Sequence, residues 1–136
     1  MPLSCEEAVQ LIAAAHAKAR ELGIKVSVAV VDEGGFLQSL ARMDGAPPLS
    51  AQVAEAKACG AAVFLRDGGS LVQLAQDRPA FFHAVERMPR LPLIPAQGSA
   101  LIKREGVVLG AVGVSGGAPA QDLECAQAGL GKLGIG

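Results

Sequence analysis

The sequence predicts an α+β fold, an antiparallel sheet covered by helices, on three observations. Two runs of strand character, around residues 24–43 and 99–114, each fold back on a short glycine-bearing turn. Helical periodicity precedes, separates and follows these hairpins. The strict strand-helix alternation of a parallel doubly wound sheet is missing. The chain has 136 residues, 51% hydrophobic and 18% charged, enough apolar surface for one core, so residues 1–136 are read as a single domain.

Ser4 followed by Glu7 forms a capping box, and Ala8, Leu11, Ile12, Ala15, Ala19 and Leu22 recur at helical spacing until Gly23. This predicts a first helix over about residues 5–22. Ile24 to Val31 then alternates β-branched residues with small ones, the pattern of a central strand. Asp32-Glu33-Gly34-Gly35 is a turn, and Phe36 to Met43 returns as the second strand of a hairpin. After a loop rich in Pro and Gly, Ser50 is expected to cap a helix that carries Ala54, Ala58, Ala61 and Ala62 to about Leu65.

Between Arg66 and Pro95 the pattern breaks into short helical pieces. Pro79 suits a first helical turn, while Pro89, Pro92 and Pro95 terminate; a lid or pocket wall is expected here. Ser99 to Arg104, a Glu105-Gly106 turn and Val107 to Val114 make the second hairpin, whose last strand is apolar at nearly every residue and therefore central. A final helix follows, with Pro119 at its start and Asp122 in its first turns, where a negative charge suits the helix dipole.

Composition narrows the partners. Aromatic residues are only 3%, so Ala, Val, Leu and Ile must build the core, and the small number of charges implies apolar surface covered by a second subunit. A homo-oligomer is expected. Twelve basic residues against thirteen acidic ones, without a basic cluster, argue against nucleic acid. The start Met1-Pro2-Leu3-Ser4-Cys5 lacks signal-peptide character and no run reaches membrane-spanning length, which points to the cytoplasm and to no membrane partner. Cys5, Cys59 and Cys125 are widely spaced and read as buried or incidental thiols.

Several segments carry a family resemblance: Val28-Ala29-Val30-Val31-Asp32-Glu33-Gly34-Gly35, Arg42-Met43-Asp44-Gly45-Ala46, the helix bearing Lys57-Ala58, and Gly110-Ala111-Val112-Gly113-Val114-Ser115-Gly116-Gly117. In this order the chain resembles the GlcG/HbpS-like family, which includes the C-terminal domain of the propanediol-utilisation corrinoid adenosyltransferase. The resemblance implies a profilin-like α/β/α sandwich around an antiparallel sheet of about five strands, homo-oligomers, and haem as the cofactor of some members. One departure stands out: the family often shows a Pro-Gly-Gly-like segment before its fourth strand, where this chain reads Pro95-Ala96-Gln97-Gly98.

Candidate residues follow from chemistry. His16, at the edge of the first helix's apolar face, is a candidate haem-iron ligand. His83 follows Phe81-Phe82, rings able to stack on a flat ligand or to pack inward. Gly113-Val114-Ser115-Gly116-Gly117 matches a nucleophile elbow formally, but no histidine follows Ser115 and the preceding strand belongs to a hairpin, so hydrolysis is rejected. Ser115, Gly116 and Gly117 instead suit either anion recognition or a tight strand-to-helix turn. Arg42 and Asp44 at a strand end, with Lys57, are either ligand contacts or a loop-fixing ion network. Three functions compete: a binding protein for haem, another tetrapyrrole or an organic ligand; an isomerase or tautomerase acting on a small organic acid; and an accessory protein whose oligomer surface is its function. The first is preferred, on the resemblance and the absence of a recognisable catalytic set.

Overall fold

In the computed structural model, which describes residues 1–135, helices α1 (Cys5–Leu22), α2 (Ser50–Phe64), α3 (Gly68–Asp77), α4 (Pro79–Val85) and α5 (Pro119–Leu133) surround strands β1 (Ser27–Asp32), β2 (Leu37–Arg42), β3 (Ser99–Arg104) and β4 (Val107–Ser115). The strands form one antiparallel sheet of order β2-β1-β4-β3, so both strands read as central are central. Four strands are found among the described residues, not about five. The segment from 66 to 98 forms α3, α4 and a proline-rich loop and adds no strand, so Pro95 to Gly98 precedes the third strand and not a fourth.

Alternation in β1 and β4 separates the layers. Val28, Val30, Val112 and Val114 face α1 and α5, in the main core with Leu11, Ala15, Cys125 and Leu130. Val31 and Ala111 face the other way, onto Ala58, Ala61 and Ala62 of α2. This second layer is tight because its residues are small. A Cβ at Gly113 would lie 2.1 Å from the Ala54 carbonyl oxygen, so α2 rests on the β4 backbone itself.

Local signals explain the ends of the elements. Ser4 and Glu7 exchange both capping-box bonds at 3.0 Å, and Gly23 ends α1 in the left-handed conformation with φ 71°. Ser50 does not cap α2 as expected. It is the helix's first residue, and its hydroxyl reaches the Pro47 carbonyl and, at 2.8 Å, the Ser27 hydroxyl, because Ser27 is buried and needs a partner. On the outer edge of β3 the Asp67 carboxylate accepts the Leu101 N–H at 2.8 Å. That bond blocks the middle of an edge otherwise open to strand addition.

Candidate functional site

The candidate residues gather at one end of the sheet, where β1 begins and β2 and β4 end. Ser27 pairs with Arg42 on one side and Ser115 on the other. Directly paired residues point to the same face, and Ser27 faces α2, so Arg42 and Ser115 do too. Their backbones stand two strand spacings apart, about 10 Å. Arg42 is exposed, with Nη1 3.5 Å from the Ala46 carbonyl; Asp44 is exposed in the same loop.

Lys57 takes a different position. Its side chain is 6% exposed, and Nζ donates to the Val114 carbonyl at 2.9 Å and to Asp122 Oδ2 at 3.3 Å. The other oxygen of Asp122 accepts the Gly117 N–H at 2.9 Å. Burial raises the Asp122 carboxyl above its usual range, against the opposing pull of the Gly117 bond and the Lys57 charge. Lys57 therefore reaches the Ser115 to Gly117 loop from below, through Asp122, and holds its backbone in place. Gly98, from the segment that departs from the family pattern, has φ 116°, and a Cβ there would lie 2.9 Å from Lys57 Nζ. Any side chain at that position would press on the ion pair.

Sequence reasoning did not single out Asp122 or Gly98 for this cluster. The available signal is thin: Asp122 has a sufficient local explanation at a helix start, and Gly98 enters only as the end of the Pro95 to Gly98 departure from the family pattern. Among the described residues the combined site offers an exposed guanidinium, a part-exposed hydroxyl and a glycine loop, a set suited to a carboxylate or phosphate.

His16 belongs to the opposite layer. It lies on α1, half-buried, with Nε2 3.1 Å from the carbonyl of Ala41, whose side chain packs into the α1 and α5 core. The structure thus does not bring His16 together with Ser115 and Lys57; the sheet lies between. Burial lowers the imidazole's pKa, the Ala41 bond opposes this, and the charge of Arg20 lowers it further. The ring is neutral at pH 7. Since a carbonyl can only accept, Nε2 carries the proton and Nδ1 the lone pair.

The remaining sequence candidates are peripheral. His83 is 87% exposed and pairs with Glu86 at 3.0 Å, while Phe82 packs inward and Phe81 lies under Arg78. Cys59 and Cys125 are buried, and burial pushes the Cys125 thiol up to about 11, which makes it inert at neutral pH; Cys5 is exposed.

Comparison with known proteins agrees with this architecture. The chain is 35% identical to protein GlcG of Escherichia coli strain K12 over 115 residues, covering 83% of this chain and 81% of GlcG. A crystal structure of a PduOC–haem complex superposes with a TM-score of 0.90 at 27% identity, covering 100% of this chain and 98% of that one. A crystal structure of HbpS superposes with a TM-score of 0.87 at 28% identity, covering 98% and 91%. Residues 3–131 match the sequence profile described as haem degrading protein HbpS-like, and the chain belongs to that family.

Proposed function

We propose that this protein is a cytoplasmic, homo-oligomeric binding protein for haem or a similar flat tetrapyrrole. The observation that carries the reading is the full-length likeness to a protein crystallised with haem. His16 fits the group chemically: it is half-buried, neutral at pH 7 and oriented through its other ring nitrogen by a backbone carbonyl, as metal-binding imidazoles commonly are. Arg20, one helical turn further on, supplies a cation suited to a propionate carboxylate. Haem would supply the iron and a large apolar face; the chain supplies the imidazole, its orientation and the charge beside it.

Haemin titration followed at the Soret band, with albumin as control, tests this. A saturable, stoichiometric shift is expected, and His16→Ala should weaken it tenfold or more. Absence of a saturable shift in the unsubstituted protein would end the haem reading. A shift that His16→Ala leaves unchanged would remove His16 from the role.

A second reading, an enzyme acting on a small organic acid, is favoured by Arg42 and Ser115 flanking Ser27 on one row. It expects acetate, malonate or lactate to raise the thermal midpoint, and Arg42→Ala to abolish the rise. Equal shifts in both proteins would exclude Arg42 as the carboxylate contact.

A further inference from the structure

Asp122 lies in the first turn of α5, where an acid ordinarily serves its own helix as a cap or through the helix dipole. Here Gln121 does the capping, its Oε1 accepting the Ala118 N–H at 3.0 Å. Asp122 turns out of the helix instead, and both its oxygens find donors there: Oδ1 takes the Gly117 N–H at 2.9 Å and Oδ2 the Lys57 ammonium at 3.3 Å. A cation and a backbone amide are what a binding site offers a carboxylate ligand. Lys57 Nζ is also anchored by the Val114 carbonyl at 2.9 Å, so the cation has a hold that does not involve Asp122. The walls are glycine: a Cβ at Gly98 would lie 2.9 Å from Asp122 Cβ, and one at Gly117 3.2 Å from Oδ1.

We infer that Lys57, Gly98 and the Gly117 amide form a carboxylate-binding cradle inside the fold, which the chain fills with its own Asp122, so that the glycine turn stays closed to an external anion while Asp122 occupies it. The amides of Gly117 and Ala118 are both spent on side chains of α5. An external carboxylate at this end of the sheet therefore meets Arg42 and the Ser115 hydroxyl without those two donors. Removing the Asp122 side chain would leave a desolvated ammonium without its counter-charge, which favours entry of a small anion. Gly98 and Gly117 have no side chains to fall into the gap. The ligand class is a small monocarboxylate, formate or acetate, matching the group removed. The inference is independent of the haem reading.

Chemical rescue tests it. All chains carry Arg42→Ala, which removes the surface carboxylate contact of the second reading, so that failure here and failure there are told apart. In the Asp122→Gly chain at pH 7, about 100 mM sodium formate should raise the thermal midpoint by roughly 5 °C over sodium chloride of equal ionic strength. The rise should saturate with a dissociation constant no tighter than about 1 mM, the ceiling for a ligand of three heavy atoms. Formamide, the neutral counterpart, should have no effect. The chain that keeps Asp122 should not respond to formate, nor should the double variant Lys57→Met, Asp122→Gly. Asp122→Ala repeats the measurement with a better helix former. A variant that does not fold in chloride is read by its refolding yield in formate, with the same expectation. An Asp122→Gly chain indifferent to formate would overturn the inference. So would an equal rise where Asp122 is kept or Lys57 is replaced, since formate would then be bound elsewhere.

Discussion

Lys57→Met should lower the folding stability by about 3–5 kcal/mol at pH 7, the usual consequence of removing one partner from a buried ion pair. The substitution keeps the length and apolar stem of the side chain, so the loss reports charge and not volume. Asp122, 2% exposed, would keep only its bond from Gly117. The pH dependence separates this cause from simple misfolding. Burial already raises the Asp122 carboxyl in the folded protein above its unfolded value. An acid raised in this way adds stability below its unfolded pKa, and that contribution is lost as pH rises through the folded pKa. Without the Lys57 charge the raising grows, so the deficit should be greatest at neutral pH and should narrow as pH falls toward about 4, where the carboxyl takes up its proton in either state. Urea unfolding at pH 4 and pH 7 measures both values. A second change, Asp122→Leu in the Lys57→Met background, should recover most of the neutral-pH loss, since an apolar pair in place of a buried ion pair is near neutral. Equal deficits at the two pH values would show that Asp122 is not the group left uncompensated.

Gly113→Ala should cost about 3 kcal/mol or more, at the upper end of what overpacking does. The new Cβ would lie 2.1 Å from the Ala54 carbonyl oxygen and 2.7 Å from the Ala58 nitrogen. Both are backbone atoms of α2, and neither can move aside unless the helix does. The effect is one of space alone, because Gly113 does not have a left-handed backbone. Gly69 is the control: it lies in α3 with nothing within 4 Å of an added Cβ, so Gly69→Ala should be neutral or stabilise by up to about 1 kcal/mol. The denaturant midpoint should fall for Gly113→Ala with little change in slope. A Gly113→Ala protein as stable as Gly69→Ala would mean that α2 does not sit directly on β4.

Both experiments probe parts of the molecule that sequence reasoning reached unevenly. The two hairpins, the capping box of α1, the Pro79 start of α4 and the central places of β1 and β4 were legible because each arises from residues a few positions apart. Ser50 stands at the expected helix end but in a different role, since the pattern for a cap does not reveal a buried hydroxyl 23 residues earlier in need of a bond. The expected fifth strand came from resemblance and had no alternating segment to build it.

By itself, then, the amino-acid order determined the types and succession of elements, the antiparallel hairpins and the apolar, weakly charged character that suits a homo-oligomer. Only the tertiary structure decided which candidates share a site. Lys57 meets Asp122 across 65 residues of chain, Gly98 closes over them, and His16 lies beyond the sheet from Arg42 and Ser115. The reason is physical: periodicity and turn chemistry act within one or two turns of the backbone, whereas desolvation, ion pairing and close packing depend on which distant segments the sheet brings together.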